Sequence, residues 1–222
     1  MTLPFAPAPL AELRSLRDSL AAWRPDAVEA ASSPPFVDFY SGARAAVRTY
    51  AVALLDLARG DSTAAEAAAT RLEAVAAPPV AVTFAQMLAA GLRAQRVAGV
   101  GHRQEALRIL AAAPANLPRD YTPVHFAIQS PERWLRAELL RELGRDEEAL
   151  GWYGTLEELA TGDLIYLAPV HLRRGEIAER RGRRAEAAAH YARVVELYRR
   201  ADPELQPLRL QAQRALARLG NE

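Results

Sequence analysis

The 222-residue chain has no cysteine. That excludes disulfide frameworks, thiolate metal sites and cysteine nucleophiles. It has no lysine either, so all 28 of its basic side chains are arginine. A phosphate loop of the GxxxxGK[ST] type, a kinase-type ATP lysine and Schiff-base chemistry each need an ammonium group, and all three are excluded. Aromatic residues are few, at 7%, and no apolar run reaches the roughly 18 residues of a membrane-spanning helix. The opening MTLPFAPAPL has neither a basic start nor a long apolar stretch, so no signal peptide is expected and a cytoplasmic chain is. An excess of one charge is missing too. The 28 basic and 27 acidic side chains leave a formal +1, which calls for no polyanionic partner.

Alanine is what the chain has in quantity, with 48 residues. Its high intrinsic helix propensity makes an all-α chain the first expectation. A short pattern also recurs. Gly101-His102-Arg103-Gln104-Glu105-Ala106-Leu107, Gly144-Arg145-Asp146-Glu147-Glu148-Ala149-Leu150 and Gly182-Arg183-Arg184-Ala185-Glu186-Ala187-Ala188 share G-x-x-x-E-A-[L/A]. Ala106, Ala149 and Ala187 stand 43 and 38 residues apart, a repeat period. Gly60-Asp61 with Ala64-Ala65-Glu66-Ala67 is a fourth, degraded copy.

Each glycine lies between two helical patterns, where a residue at positive φ ends one helix and a polar residue opens the next. In the last copy Ala188, Tyr191, Val194, Val195 and Tyr198 follow the three-and-four spacing of one buried face. In the third, Trp134, Leu135, Leu139, Leu140 and Leu143 precede the turn and Leu150, Tyr153 and Leu156 follow it. The spacing predicts a leading helix over about 9–23 and pairs at 36–59/62–76, 80–98/102–113, 130–143/146–160 and 164–181/184–200. A closing helix is expected over about 204–218. Ser130-Pro131-Glu132 reads as a helix start, with an N-cap, a first-turn proline and an acid suited to the helix dipole. Pro25, Pro34-Pro35, Pro78-Pro79, Pro114, Pro118 and Pro203 fall between these spans. Pro123 is expected to open a short extra helix over 123–129, and Pro169 to kink or delay the fourth first-helix. No composition shift marks a boundary, so one domain over 1–222 is expected: 1–35 a helix and proline-rich connection, 36–200 the pairs, 203–219 a cap.

The pattern around the turn resembles the tetratricopeptide repeat, in which a small residue sits midway along the first helix, glycine at the turn, and alanine then an aromatic in the second helix. Gly175, Gly182, Ala187 and Tyr191 keep that spacing, as do Ala137, Gly144, Ala149 and Tyr153, and more loosely Ala94, Gly101, Ala106 and Leu110. The segments 132–150 and 182–207 are similar to the C-terminal helical-repeat regions of bacterial multidomain serine/threonine kinases. The resemblance covers 100–218 well and 36–99 loosely, and the copy spacing exceeds the family's usual period of about 34 residues. It implies a right-handed α-solenoid of about four helix pairs with N- and C-terminal capping helices. First helices would then line a concave face at Tyr50, Gln95, Trp134, Glu138, Arg141, Leu172, Glu176 and Arg180. Tyr50, Trp134 and Leu172 would anchor a peptide or partner helix, with Arg141 and Arg180 pairing to its carboxylates. Trp134 reads equally well as core between consecutive pairs. The carboxylate clamp found in some members needs Lys and Asn at groove positions that this chain does not offer.

No catalytic constellation is visible. His102, His125, His171 and His190 are scattered, with no H-E-x-x-H, and Glu186 with His190 reads as an exposed i,i+4 pair. Gly99-Val100-Gly101 follows a helical stretch and reads as a turn. Glu147-Glu148 and Glu157-Glu158 are consecutive, so they diverge by about 100° on a helix and cannot converge as an acid/base pair. No G-x-S-x-G occurs. Residues 171–222 hold 12 Arg against 7 acids, but Arg173, Arg180, Arg183, Arg193 and Arg200 alternate with Glu176, Glu179, Glu186 and Glu196. That interleaving favours a salt-bridged helix surface over a phosphate-binding stripe. The expectation is a non-enzymatic protein-interaction or scaffold module without metal or cofactor, working in bacterial signalling or regulation. The rivals are a nucleic-acid-binding regulator using its arginine-rich C-terminal part and a small-ligand receptor with an enclosed pocket.

Overall fold

A computed structural model describes Phe5 and residues 8–24, 37–75, 79–114, 126–156 and 161–221. Among the described residues it is all-helical. The α-helices are α1 (Leu10–Ala22), α2 (Val37–Ala58), α3 (Ser62–Glu73), α4 (Pro79–Gly99), α5 (Arg103–Ala112), α6 (Ser130–Glu142), α7 (Asp146–Gly154), α8 (Leu167–Arg180), α9 (Arg184–Leu197) and α10 (Gln206–Asn221). Short 3-10 segments at Thr161–Tyr166 and Pro203–Leu205 lead into α8 and α10.

The pairs α2/α3, α4/α5, α6/α7 and α8/α9 are joined by the same turn used four times. Gly60, Gly101, Gly144 and Gly182 have φ of 84°, 87°, 73° and 69°, a region that costs a side-chain-bearing residue about 1–2 kcal/mol. Each glycine N–H donates to the carbonyl three residues back, at Leu57, Ala98, Arg141 and Glu179. The next residue's N–H donates to the carbonyl five back, at Asp56, Val97, Leu140 and Ala178. Those two bonds cap orphan carbonyls of the first helix, as a Schellman turn does. The chain then enters the second helix at once. Asp61 accepts from the Ala64 N–H at 2.9 Å and so caps α3.

Register follows from the turn. Five residues after each glycine stand Ala65, Ala106, Ala149 and Ala187, all buried. Seven before it stand Ala53, Ala94, Ala137 and Gly175, and these too are buried. Small side chains at both places let the two backbones of a pair approach closely. At Gly175 even a methyl would not fit, since a Cβ there would lie 2.6 Å from the Tyr191 ring.

The chain divides into two compact units where the sequence showed no composition change. Unit 1 is Ala8–Glu132 with Met1–Thr2; unit 2 is Arg133–Glu222 with Leu3–Pro7, so Phe5 belongs to the second. Within unit 1, α1 packs on α2, and α2, α3, α4 and α5 pack successively, with α2 also against α4. Its core is alanine-rich, with Tyr50, Leu72, Phe84, Met87, Leu88 and Leu92 supplying the bulk. Within unit 2, α7 meets α8, α8 meets α9, and α10 covers both α8 and α9. Leu172, Ala178, Ala187, Tyr191, Val194, Ala212 and Ala215 form its core.

Pro169 does delay its helix. The 3-10 segment fills 161–166, α8 begins at Leu167, and Pro169 sits buried in the first turn, where a missing N–H costs least. The helix expected over 123–129 is a turn at 126–128, with Phe126 and Gln129 at positive φ, and its first residues lie outside the described ones. Among the described residues no helix is long and apolar enough to cross a membrane.

Candidate functional site

Unit 2 carries a dense set of charged side chains on α6, α8 and α10. Glu138 stands on α6 six residues before its turn glycine, and Glu176 holds the same place on α8. Both are half-buried and face arginines. Arg141 donates two hydrogen bonds to Glu138 at 3.2 Å, and Arg173 reaches Glu138 at 3.2 Å and Glu176 at 3.0 Å. Gln211 of α10 donates to Glu176 at 2.8 Å, and the Tyr153 hydroxyl donates to Glu138. Burial works against the charge on Arg141 and Arg173, yet their carboxylate partners hold both guanidiniums above the usual arginine range. Burial and the Glu138 charge push the Tyr153 phenol up.

A second cluster lies beside it. Glu179 accepts from Tyr191 at 2.7 Å and from Arg218 at 2.8 Å. Burial opposes its ionisation, but these two donors outweigh burial and hold the carboxyl below the usual range. Arg180 donates to Asp146 at 2.8 Å, and Arg181 to Glu147 at 2.6 Å. Between α8 and α10 opens a cleft of about 760 Å³, lined by Glu176, Glu179, Arg180, Gln211, Arg214 and Arg218, with Tyr191 and Ala215 beneath. Arg214 is exposed and makes no hydrogen bond or ion pair among the described residues.

The expected lining is therefore split. Glu176 and Arg180 border the cleft, while Glu138 and Arg141 stand in the ionic cluster. Tyr50, Trp134 and Leu172, expected to anchor a partner, are 0%, 4% and 1% exposed. All three stand ten residues before a turn glycine, and that position faces the core in every copy where it holds a large side chain. Tyr50 packs edge-on to Phe126, with ring centroids 5.0 Å apart, and its hydroxyl donates to the buried Glu132. Gln95, half-buried, reaches the Tyr50 hydroxyl at 3.4 Å. Glu132 thus does more than complement a helix dipole, and Gly91 makes room for it: a Cβ there would lie 2.2 Å from its carboxylate.

Arg173, Gln211, Arg214 and Arg218 were not anticipated as site residues. A signal existed in the spacing of Gln211, Arg214 and Arg218, three and four residues apart along one helix face. His171 and His190 also come together, their Nδ1 atoms 2.9 Å apart across α8 and α9. Burial, then His190, Arg174 and Arg193, lower the His171 imidazole to about 4, so it is neutral at pH 7. His190 therefore faces His171 across the two helices. Glu157-Glu158 lies outside the described residues. Among the described residues no group of three or more His, Asp or Glu gathers that could hold a metal ion.

The chemistry of these groups is donor chemistry. The raised arginines and phenols keep their protons near neutrality, and Glu179 is held below the usual carboxylate range. The cluster can fix geometry and offer charged donors to an anionic group. Comparison with protein-family models, with curated proteins and with solved structures yields no match to any of them.

Proposed function

We propose that the chain is a non-catalytic interaction module of the tetratricopeptide-like kind, a right-handed stack of helix pairs that binds a peptide or partner helix at the α8–α10 cleft. The carrying observation is that cleft itself: about 760 Å³, open, and bordered by Glu176 and Arg180 from the first helix of a pair. Arg180 is half-exposed and Arg214 uncommitted, so an acidic side chain of the partner can be met by charge-assisted hydrogen bonds. Glu176 and Glu179 are already occupied by Arg173, Gln211, Tyr191 and Arg218, which leaves Arg214 to meet an anionic group. The anchoring role expected of Tyr50, Trp134 and Leu172 is not kept, because buried rings and methyls present no surface. A cytoplasmic place in bacterial signalling or regulation rests on the sequence resemblance alone.

The test is selection of a phage-displayed random 12-residue peptide library on the full-length protein, followed by calorimetry with the enriched peptides. Enriched peptides carrying acidic residues are expected, bound at least tenfold more weakly by the Arg180→Ala/Arg214→Ala double variant at unchanged helix content. Equal binding by both proteins overturns the cleft assignment. Failure to enrich any peptide, with arbitrary duplex DNA or RNA binding steeply weakened by salt, gives the protein to the nucleic-acid reading.

A further inference from the structure

Trp134 is buried, yet part of its cover is not helical. The Phe5 ring meets Trp134 edge-on, with centroids 5.6 Å apart and planes at 74°, and meets Tyr166 at 5.7 Å and 79°. Trp134 in turn leans on Tyr166 and on Tyr153, with both centroids at 5.6 Å. Three rings from α6, α7 and the 3-10 segment before α8 thus form a seat, and Phe5 is the fourth ring set into it. Edge-to-face geometry of this kind adds directional attraction to apolar burial.

The seat and its occupant are held in different ways. Trp134, Tyr153 and Tyr166 are 4%, 0% and 2% exposed and stand on helices. Phe5 stands in a turn, is only partly buried, and makes no backbone hydrogen bond among the described residues. Pro4 and Pro7 bracket it in sequence and have no N–H to give. Among the described residues ring contacts with Trp134 and Tyr166 hold Phe5 in place, and a ring on another chain can make the same contacts.

We infer that the Trp134–Tyr153–Tyr166 seat is a docking site for a short segment presenting one aromatic ring between prolines, filled in cis by this chain's own Phe5. The partner it fits is a peptide of that kind, which enters by displacing Phe5. A tethered ring competes at an effective concentration on the order of millimolar, so the wild-type protein is self-masked and loss of the tethered ring unmasks it. This site lies apart from the α8–α10 cleft and does not depend on it.

The probe is a synthetic peptide of residues 1–9 of this chain, with a second in which Phe5 is replaced by alanine. Both are titrated calorimetrically into full-length wild-type protein and full-length Phe5→Ala. The Phe5→Ala protein is expected to keep wild-type helix content and to bind the native peptide one to one, at least tenfold more tightly than the wild type does. The alanine peptide should bind neither, and Arg180→Ala/Arg214→Ala should leave these results unchanged. Unfolding of Phe5→Ala would make the ring ordinary core and overturn the proposal. Equal affinity of both proteins for the native peptide, no binding by either, or binding of the alanine peptide would also overturn it.

Discussion

In unit 1 a tyrosine hydroxyl on a first helix, Tyr50, meets a carboxylate that is 4% exposed, Glu132. In unit 2 a tyrosine on a second helix, Tyr153, meets Glu138, a half-buried carboxylate that Arg141 and Arg173 also hold. The difference shows how one repeated turn can carry two kinds of interior. Unit 1 closes an alanine-rich core over a buried polar contact that Gln95 also reaches, whereas unit 2 spreads its polar groups into a cluster that reaches the surface. Two arginines on Glu138 make the second arrangement tolerant of the loss of one partner.

The comparison is broken most severely at ion pairs. Asp163 in unit 2 is 1% exposed and pairs with Arg133 at 2.6 Å, while Asp56 in unit 1 is shared by Arg17 and Arg59 at 3.0 and 3.3 Å. Arg133→Ala is expected to cost about 3–5 kcal/mol in urea unfolding, because it takes a guanidinium away from a buried carboxylate. Arg17→Ala, which leaves Arg59 on the buried Asp56, should cost less, about 1–2 kcal/mol, because one guanidinium stays in place. Next comes Gly175→Ala, whose methyl would press into the rigid Tyr191 ring and should cost about 1–3 kcal/mol despite alanine's better helix propensity.

The tyrosine pair sharpens the contrast directly. Tyr50→Phe should cost about 1–3 kcal/mol, since Glu132 is buried. Tyr153→Phe should cost about 1 kcal/mol or less, since Glu138 keeps two arginines. Equal losses in thermal unfolding would erase the distinction between the units. The smallest effect is pH-dependent and confined to unit 2. His171 is lowered to about 4 when folded against about 6.5 when unfolded, so the unfolded chain binds the extra proton first. Stability is therefore full above pH 6.5 and declines as pH falls toward 4, by about 1 kcal/mol once the half-exposed ring's solvent screening is allowed for. His171→Gln should flatten that stretch of the stability–pH curve.

Much of the fold was legible because its punctuation is chemical. Gly60, Gly101, Gly144 and Gly182 had to sit at positive φ, and the alanines five residues later had to be small, so helix ends and pairings could be read to within a few residues. Pro169 announced the late start of α8 for the same reason. The site was legible only in part. An apolar residue on the inner stripe of a first helix reads alike whether it faces core or groove, so Tyr50, Trp134 and Leu172 could be placed on the right helices and the wrong side. His171 and His190 lie on two helices whose mutual rotation is set by Gly175 against Tyr191, and nothing in either segment alone reveals the 2.9 Å contact. Phe5 belongs to no periodic stretch, so only the fold brings it to Trp134. The boundary at Glu132 and Arg133 falls inside one helix, where composition carries no mark.

The central claim is that one helix pair, built around a turn glycine and a buried alanine five residues on, is used four times across both units. Urea unfolding of Ala65→Leu, Ala106→Leu, Ala149→Leu and Ala187→Leu tests it most directly. Overpacking should lower stability by about 1–3 kcal/mol in each of the four, in unit 1 as in unit 2. Neutral substitutions at Ala65 and Ala106 beside costly ones at Ala149 and Ala187 would contradict it, and would confine the repeat to the second unit.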